Sequence, residues 1–238
     1  MIPELMDRPA ADRDELAASL AFIRMVNCRL GGTAALLDYL KMNAATWPRD
    51  RQRPVRLLDV GTGSADIPLA VARWAGDAGH DVRITAIDLH PTTLDLAREH
   101  IGDRADIELV QLDALKLTER FQPGQFDYAH AGMFLHHLTD IEVMTVLRMM
   151  QRLATRAVIW NDLLRNIVGR IGVRLLMMRR GTPAMARHDG IVSVAKGFTR
   201  SEARALAQRA GLPNVRLRTH LRHRFTLISE SAPDRHGA

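Results

Sequence analysis

The sequence predicts an α/β chain built on a doubly wound, mostly parallel sheet of seven strands. The sheet closes with an antiparallel hairpin, and helices are added before it and after its fifth strand. Three observations carry this prediction. From Val55 onward, short apolar strands alternate with amphipathic helices, the pattern of parallel strands joined by right-handed crossovers. The first strand runs into a glycine-rich turn that opens a helix. Near the C-terminus two alternating strands, NVRLRTHL and HRFTLISE, follow in close succession, so one of them must run antiparallel.

Each element has a local reason. In DRDELAASLAFIRMVNCR, residues 12–29, Leu16, Leu20, Ile23 and Val26 recur near a period of 3.6 and predict a helix. Gly31 and Gly32 end it, and Thr33 is expected to cap a second helix, AALLDYLKMN. PRDRQRP, residues 48–54, reads as a linker. VRLLDV (55–60) is a buried strand, followed by a helix to about Trp74. VRITAID (82–88) is the second strand, and Pro91 suits the first turn of the next helix. IELVQ (107–111) and FDYAHA (126–131) are the third and fourth strands. A helix over 140–153 leads to AVIWND (157–162). Thr199 with Glu202 three residues later marks a capped final helix. The expected organisation is a helical arm over 1–50, a main domain over 51–230 with a helical insertion at 163–188, and a disordered tail over 231–238.

Composition narrows the functional classes. With 47% hydrophobic and 25% charged residues, the chain can bury a core and is not disordered. Its one cysteine, Cys28, excludes an internal disulfide and a cysteine-rich zinc site. No apolar run reaches the roughly 18 residues of a membrane span. The acidic, polar start MIPELMDRPAADRDE is unlike a signal peptide, so a cytoplasmic protein is expected. The net charge of +6 admits an anionic partner without requiring one.

The chemistry concentrates after the strands. In DVGTGSAD, Gly61 and Gly63 let the backbone approach a ligand, and the following helix offers free N–H groups. Position 66 is an aspartate where a dinucleotide fingerprint carries glycine. A pyrophosphate would be repelled there, whereas an ammonium or sulfonium would not. Asp59 and Asp66 therefore favour a cationic amino acid over a dinucleotide. Asp88 ends the second strand, where a carboxylate accepts both ribose hydroxyls. Asp113 follows the third strand, within reach of an adenine amine.

LLDVGTGSADIP, AIDLHPTTLDLAR, VQLDALKL and FDYAHAGMFLHHLTD resemble the successive motifs of class I S-adenosylmethionine-dependent methyltransferases. The resemblance is strong over about residues 55–161 and implies a Rossmann-like fold with S-adenosyl-L-methionine as cofactor. By that pattern Asp59, Gly61 and Gly63 face the methionine part, with Asp66 beside them. Asp88 holds the ribose, Leu89 packs on the adenine, Asp113 and Ala114 lie at the adenine edge, and Ala131 borders the cofactor. The third glycine common in the family is Ala65 here.

The segment after strand four lacks the Asn/Asp-Pro-Pro-aromatic tetrad of amino-methylating DNA and protein methyltransferases, and Cys28 lies outside the sheet. It is instead similar to small-molecule methyltransferases, including the quinone-biosynthesis type. NDLLRN and RHDGIVSVAKGF resemble bacterial methyltransferases encoded beside polyketide synthases. The expected activity is O-methylation of a phenolic, polyketide or quinone-like molecule. C-methylation of a ring, RNA methylation and a non-catalytic cofactor-binding subunit are the alternatives. RNA is disfavoured because aromatic residues are 5% of the chain. Met133, Asp162 and Arg165 are expected beside the acceptor. A phenol gains from a general base, and His136, His137 and His188 are the candidates, oriented by Asp162 or Asp189. No metal is expected, because adjacent histidines on a strand point apart. Segment 163–188 carries six arginines and no acid. Leu164, Ile167, Val168, Ile171, Leu175 and Met178 share one helical face, which suits a lid, a membrane surface or a partner subunit. The N-terminal helices either cap the site or build a dimer.

Overall fold

Strand β1 (Val55–Val60) runs through the middle of a seven-stranded sheet in a computed structural model that describes residues 4–8, 11–48 and 53–231. On one side of β1 lie β2 (Val82–Asp88) and then β3 (Ile107–Gln111). On the other lie β4 (Phe126–Gly132), β5 (Ala154–Leu163), β7 (Arg224–Glu230) and β6 (Val215–His220). The first five strands are parallel, and β7 pairs antiparallel with both β5 and β6. The expected fold class is therefore the observed one. The chain reverses its winding direction between β1 and β4, which opens a crevice at their carboxyl ends.

Both faces of the sheet are covered, so the strands carry apolar side chains on alternating sides. In β1, Leu58 and Val60 join one buried cluster, while Val55 and Leu57 join the other. In β5, Val158 and Trp160 face the first cluster, and Ala157 and Ile159 the second. The first cluster is filled by α6 (Asp140–Leu153) and α9 (Arg200–Arg209), the second by α3 (Asp66–Asp77) and α2 (Gly32–Asn43). α4 (Pro91–Ile101) packs on β2 and β3, and a short helix α5 (Leu117–Arg120) precedes β4.

The helix starts follow capping chemistry. Thr139 with Glu142, and Thr199 with Glu202, form reciprocal capping boxes on α6 and α9. Asp12 caps α1 (Arg13–Arg29) by accepting from two backbone amides. The expectation that Thr33 caps α2 is corrected. The cap residue is Gly31 at φ 82°, a left-handed conformation that glycine takes without a Cβ penalty, and no side chain caps that end. Helix α3 continues three residues beyond the expected Trp74.

The insertion after β5 is two helices, α7 (Ile167–Met177) and α8 (Ala184–Lys196). α8 packs against α1, so the N-terminal helices and the insertion lean together over the crevice. Residues 49–52 of the expected linker and 232–238 of the expected tail lie outside the described residues. Among the described residues no single helix is long and apolar enough to cross a membrane.

Leu147 on α6 is fully buried against the sheet. Leu147→Ala is expected to cost about 2–5 kcal/mol, read as a lower urea midpoint at unchanged slope. Ile141→Ala, on the exposed side of the same helix, is expected to stay within about 0.5 kcal/mol. Equal shifts in the two variants would contradict this packing.

Candidate active site

The crevice contains a cavity of about 850 Å³, near the upper end of the roughly 300–1,000 Å³ of small-molecule sites. Its floor is the turn after β1. Gly61 and Gly63 sit there at φ 69° and 55°, and Ala65 also takes a left-handed conformation, at φ 54°. A side chain at Gly61 would collide with the Phe134 ring, its Cβ falling 2.3 Å from the nearest ring atom. The glycine is required there by conformation and by close packing.

The acids that follow the strands line the same cavity. Asp88 accepts from the Gly63 amide at 3.0 Å and the His90 amide at 3.1 Å, one on each oxygen. Each oxygen keeps a lone pair for a ligand. Burial raises the Asp88 pKa, and the amide bonds only partly offset this. Asp66 is likewise raised by burial, against a bond from Asn27 on α1 at 3.1 Å. Asp113 accepts from the Leu115 amide, and Asp113, Ala114 and Leu89 border the far end of the cavity. Asp59 lines the cavity and is held by His130 Nδ1 at 2.6 Å, directly across the β1–β4 pairing. Ala131, expected at the cofactor, is instead buried in the cluster behind β4 and does not line the cavity. The alternation of a strand turns it away while Gly132 and Met133 border the space.

The two adjacent histidines do not lie on a strand. Residues Leu135–His137 form a single 3₁₀ turn, and the imidazole centroids are 4.4 Å apart. The premise that they point apart is thus corrected: successive residues of so tight a turn can share a side. His136 Nδ1 meets Asp162 Oδ1 at 2.7 Å, and His137 Nδ1 meets Asp7 Oδ2 at 2.8 Å. Both histidines border the cavity together with Glu4. Asp162 is fully buried behind His136 and is held by the Trp160 indole and the Leu163 amide. Burial would raise its pKa, but the charge and hydrogen bond of His136 and the Leu163 amide bring it below the usual range. Asp162 therefore orients His136 and does not border the cavity, contrary to its expected contact with the acceptor.

Two further expectations are corrected. Arg165 turns outward to pair with Glu202 on α9 and is absent from the cavity wall, since its backbone leaves the sheet before α7 begins. His188 and Asp189 lie inside α8. His188 is half-exposed and does not line the cavity, whereas Asp189 is buried. Asp189 accepts from the Leu5 amide at 2.8 Å, the Met6 amide at 3.0 Å and His188 Nδ1 at 2.8 Å. It thereby ties the N-terminal segment to α8.

Sequence reasoning missed Glu4, Asp7 and Arg224. Glu4 is buried and bonded by Ser193 Oγ at 2.9 Å and Lys196 Nζ at 3.3 Å. The alternation of Glu4 and Asp7 with the apolar pair Leu5 and Met6 was the available signal of a buried segment. Arg224 is fully buried on β7, where burial pushes its guanidinium down to about 10, still charged at neutral pH. One of its amino groups reaches Asn27 at 3.1 Å, while Nε and Nη1 have no hydrogen-bond partner among the described residues.

The roof of the cavity is apolar. Leu20, Ile23 and Val26 of α1 face Val173, Leu176 and Met177 of α7. The outer stripe of α7 and its C-cap, at Ile167, Ile171 and Met178, stays exposed, as does Leu175, which also borders the cavity. The insertion therefore roofs the cavity and still leaves an apolar face uncovered.

Residues 57–156 match the family model described as a methyltransferase domain. A demethylmenaquinone methyltransferase of Listeria welshimeri is 33% identical over 103 residues, which are 42% of this chain and 41% of that protein. The match thus spans about two fifths of the length of the curated relatives. The structure described as PigF with SAH superposes with a TM-score of 0.65 at 19% identity, covering 97% of this chain and 63% of that one. Magnesium protoporphyrin IX methyltransferase from Synechocystis PCC 6803 with bound SAH gives 0.58 at 11% identity, covering 86% and 85%. These solved structures share the fold. Residues 57–156 thus match a methyltransferase domain, within a fold shared by two structures that hold SAH. The relatives that match over this stretch are named demethylmenaquinone methyltransferases. The donor set fits the cofactor of this class. Asp59, Asp66, Asp88 and Asp113 all line the one cavity, and such a set of acceptors suits a ligand that carries hydroxyl, amine and cationic groups.

Asp189→Ala would remove the acceptor of two N-terminal amides. Hydrogen-exchange mass spectrometry is expected to show a peptide spanning Leu5 and Met6 exchanging much faster, with protection of β1 and β4 unchanged. Unaltered exchange of that peptide would contradict the anchoring role.

Proposed function

We propose that the protein transfers a methyl group from S-adenosylmethionine to an oxygen of a small, largely apolar phenolic or quinone-like molecule. The observation that carries this reading is the continuity of one cavity. Asp88, Asp113 and the glycine turn line one part of it. An apolar chamber under α1 and α7, with Glu4, His136 and His137 in its wall, forms the rest.

Bound in the first part, the cofactor supplies a methyl already activated on a sulfonium. The chain's own work is then to orient, to align and to exclude water. Asp88 takes the ribose hydroxyls, Leu89 packs on the adenine, and Asp113 and Ala114 meet its edge. Asp59, Asp66 and the amides at Gly61 and Gly63 surround the amino-acid end, and Arg224 offers its free N–H groups to the carboxylate. Met133 and Phe134 separate the cofactor from the acceptor. The acceptor's hydroxyl meets the polar wall at His136 and His137, whose rings are held by Asp162 and Asp7. Asp189 acts on the site through the N-terminal segment, and His188 stands outside the cavity.

Methylation at a ring carbon would use the same residues and is separated by the product. RNA is the weaker reading, because the exposed large apolar residues among those described include no aromatic ring for stacking.

Calorimetric titration with S-adenosylhomocysteine tests the cofactor layer. The wild type is expected to bind, and Asp88→Ala to bind at least about tenfold more weakly, from the loss of charged hydrogen bonds worth about 1.5–3 kcal/mol. No binding by the wild type, or equal binding by both, would sink the assignment. For the acceptor, a panel of phenols and reduced quinones is incubated with labelled cofactor and the products are read by mass spectrometry. O-methyl products are expected. Label entering RNA with none in any phenol would overturn the reading.

A further inference from the structure

The polar wall of the acceptor chamber brings three potential metal ligands together. Glu4, His136 and His137 bring one donor atom each to within 4.8 Å of one another. His136 Nε2 stands 3.8 Å from one Glu4 oxygen, and His137 Nε2 stands 3.7 Å from the other. These gaps are too long for hydrogen bonds. Ligands about 2.0–2.2 Å from a tetrahedral ion lie about 3.3–3.6 Å apart, so the three side chains close on one ion by drawing together.

The outer contacts point the same way. Each histidine directs Nδ1 at a carboxylate, Asp162 or Asp7, at 2.7 and 2.8 Å. A metal-binding histidine is held in this manner, with the proton on one nitrogen and the lone pair on the other. His136 Nε2 is buried and has no hydrogen-bond partner among the described residues. Ser193 and Lys196 fix the Glu4 carboxylate.

Charge adds a third argument. Glu4, Asp7, Asp162 and Asp189 bring four negative charges, and three of these residues are buried. Lys196, beside Glu4, and Arg224, whose charge acts on Asp162, bring two positive ones. The carboxylates of this wall outnumber its basic side chains, a balance that suits a divalent cation.

We propose that Glu4, His136 and His137 form a three-ligand site for a divalent transition metal of the zinc class. Two imidazoles and a carboxylate suit such an ion, and all three residues border the cavity from which a fourth ligand would come. Its use rests on the reading given under the proposed function. An acceptor hydroxyl bound at the open position releases its proton to solvent. The resulting oxyanion forms the new O–C bond as the C–S bond breaks, leaving a neutral thioether.

The test uses the untagged full chain, stripped with a chelator and titrated with zinc against a competing indicator; cobalt substitution gives a visible spectrum. One zinc per chain and a tetrahedral-type cobalt band are expected. Binding is expected to weaken at least about 100-fold in Glu4→Gln and His137→Gln, and about 10–100-fold in Asp7→Asn. Circular dichroism and binding of S-adenosylhomocysteine are expected to stay intact in all three. Far less than one zinc per chain would overturn the site, leaving Lys196 as the counter-ion of Glu4. So would zinc binding that is indifferent to Glu4→Gln and His137→Gln. Loss of S-adenosylhomocysteine binding by the wild type, with zinc stoichiometry retained, would count against the methyltransferase reading and leave the metal site standing.

Discussion

Two carboxylates buried at strand ends, Asp59 and Asp162, set the terms for the rest of this structure. An uncompensated charge in such a place costs several kcal/mol, so each must find a partner without water. Both partners come from β4 and the turn that follows it. His130 stands directly opposite Asp59 in the β1–β4 pairing, and His136 reaches Asp162 from the 3₁₀ turn. A one-residue slip of β4 would move His130 to the other face and leave Asp59 bare. The pairing of charge thus reinforces the register that the apolar alternation already favours.

The crevice inherits its shape from those pairs. With β1 and β4 locked in register, the glycine turn after β1 faces Phe134 and the histidines after β4. Phe134 packs so closely on Gly61 that no other residue fits there. The acids after β2 and β3 then border the far end of the same space. The helices that roof it come from distant parts of the chain, α1 from the N-terminal side and α7 from the insertion, so the roofed cavity forms only when both dock.

Much of this was legible in the sequence because it is local. Strand alternation, Pro91 at a helix start, and the Thr139–Glu142 and Thr199–Glu202 boxes act over a few residues. Asp88 and Asp113 were readable as crevice residues because a parallel strand delivers its end, and the turn just after it, to that edge of the sheet. Arg165, Ala131 and the order around His188 were not. Their directions depend on which neighbour they meet: Glu202 on α9 for Arg165, the packed cluster behind β4 for Ala131, and the N-terminal segment for the helix that holds His188.

By itself, then, the sequence determined the winding of the sheet, the antiparallel closing strand and the acids along the crevice. Those follow from residue periodicity and from position at strand ends, which need no knowledge of distant contacts. Only the tertiary structure decided what stands beside the paired histidines. Glu4 and Asp7 are about 130 residues away along the chain and reach His136 and His137 because Asp189 accepts two amides of the segment between them. No local rule encodes such a meeting. It depends on α8 and α1 packing together, which is a property of the folded surface and not of any short stretch of residues.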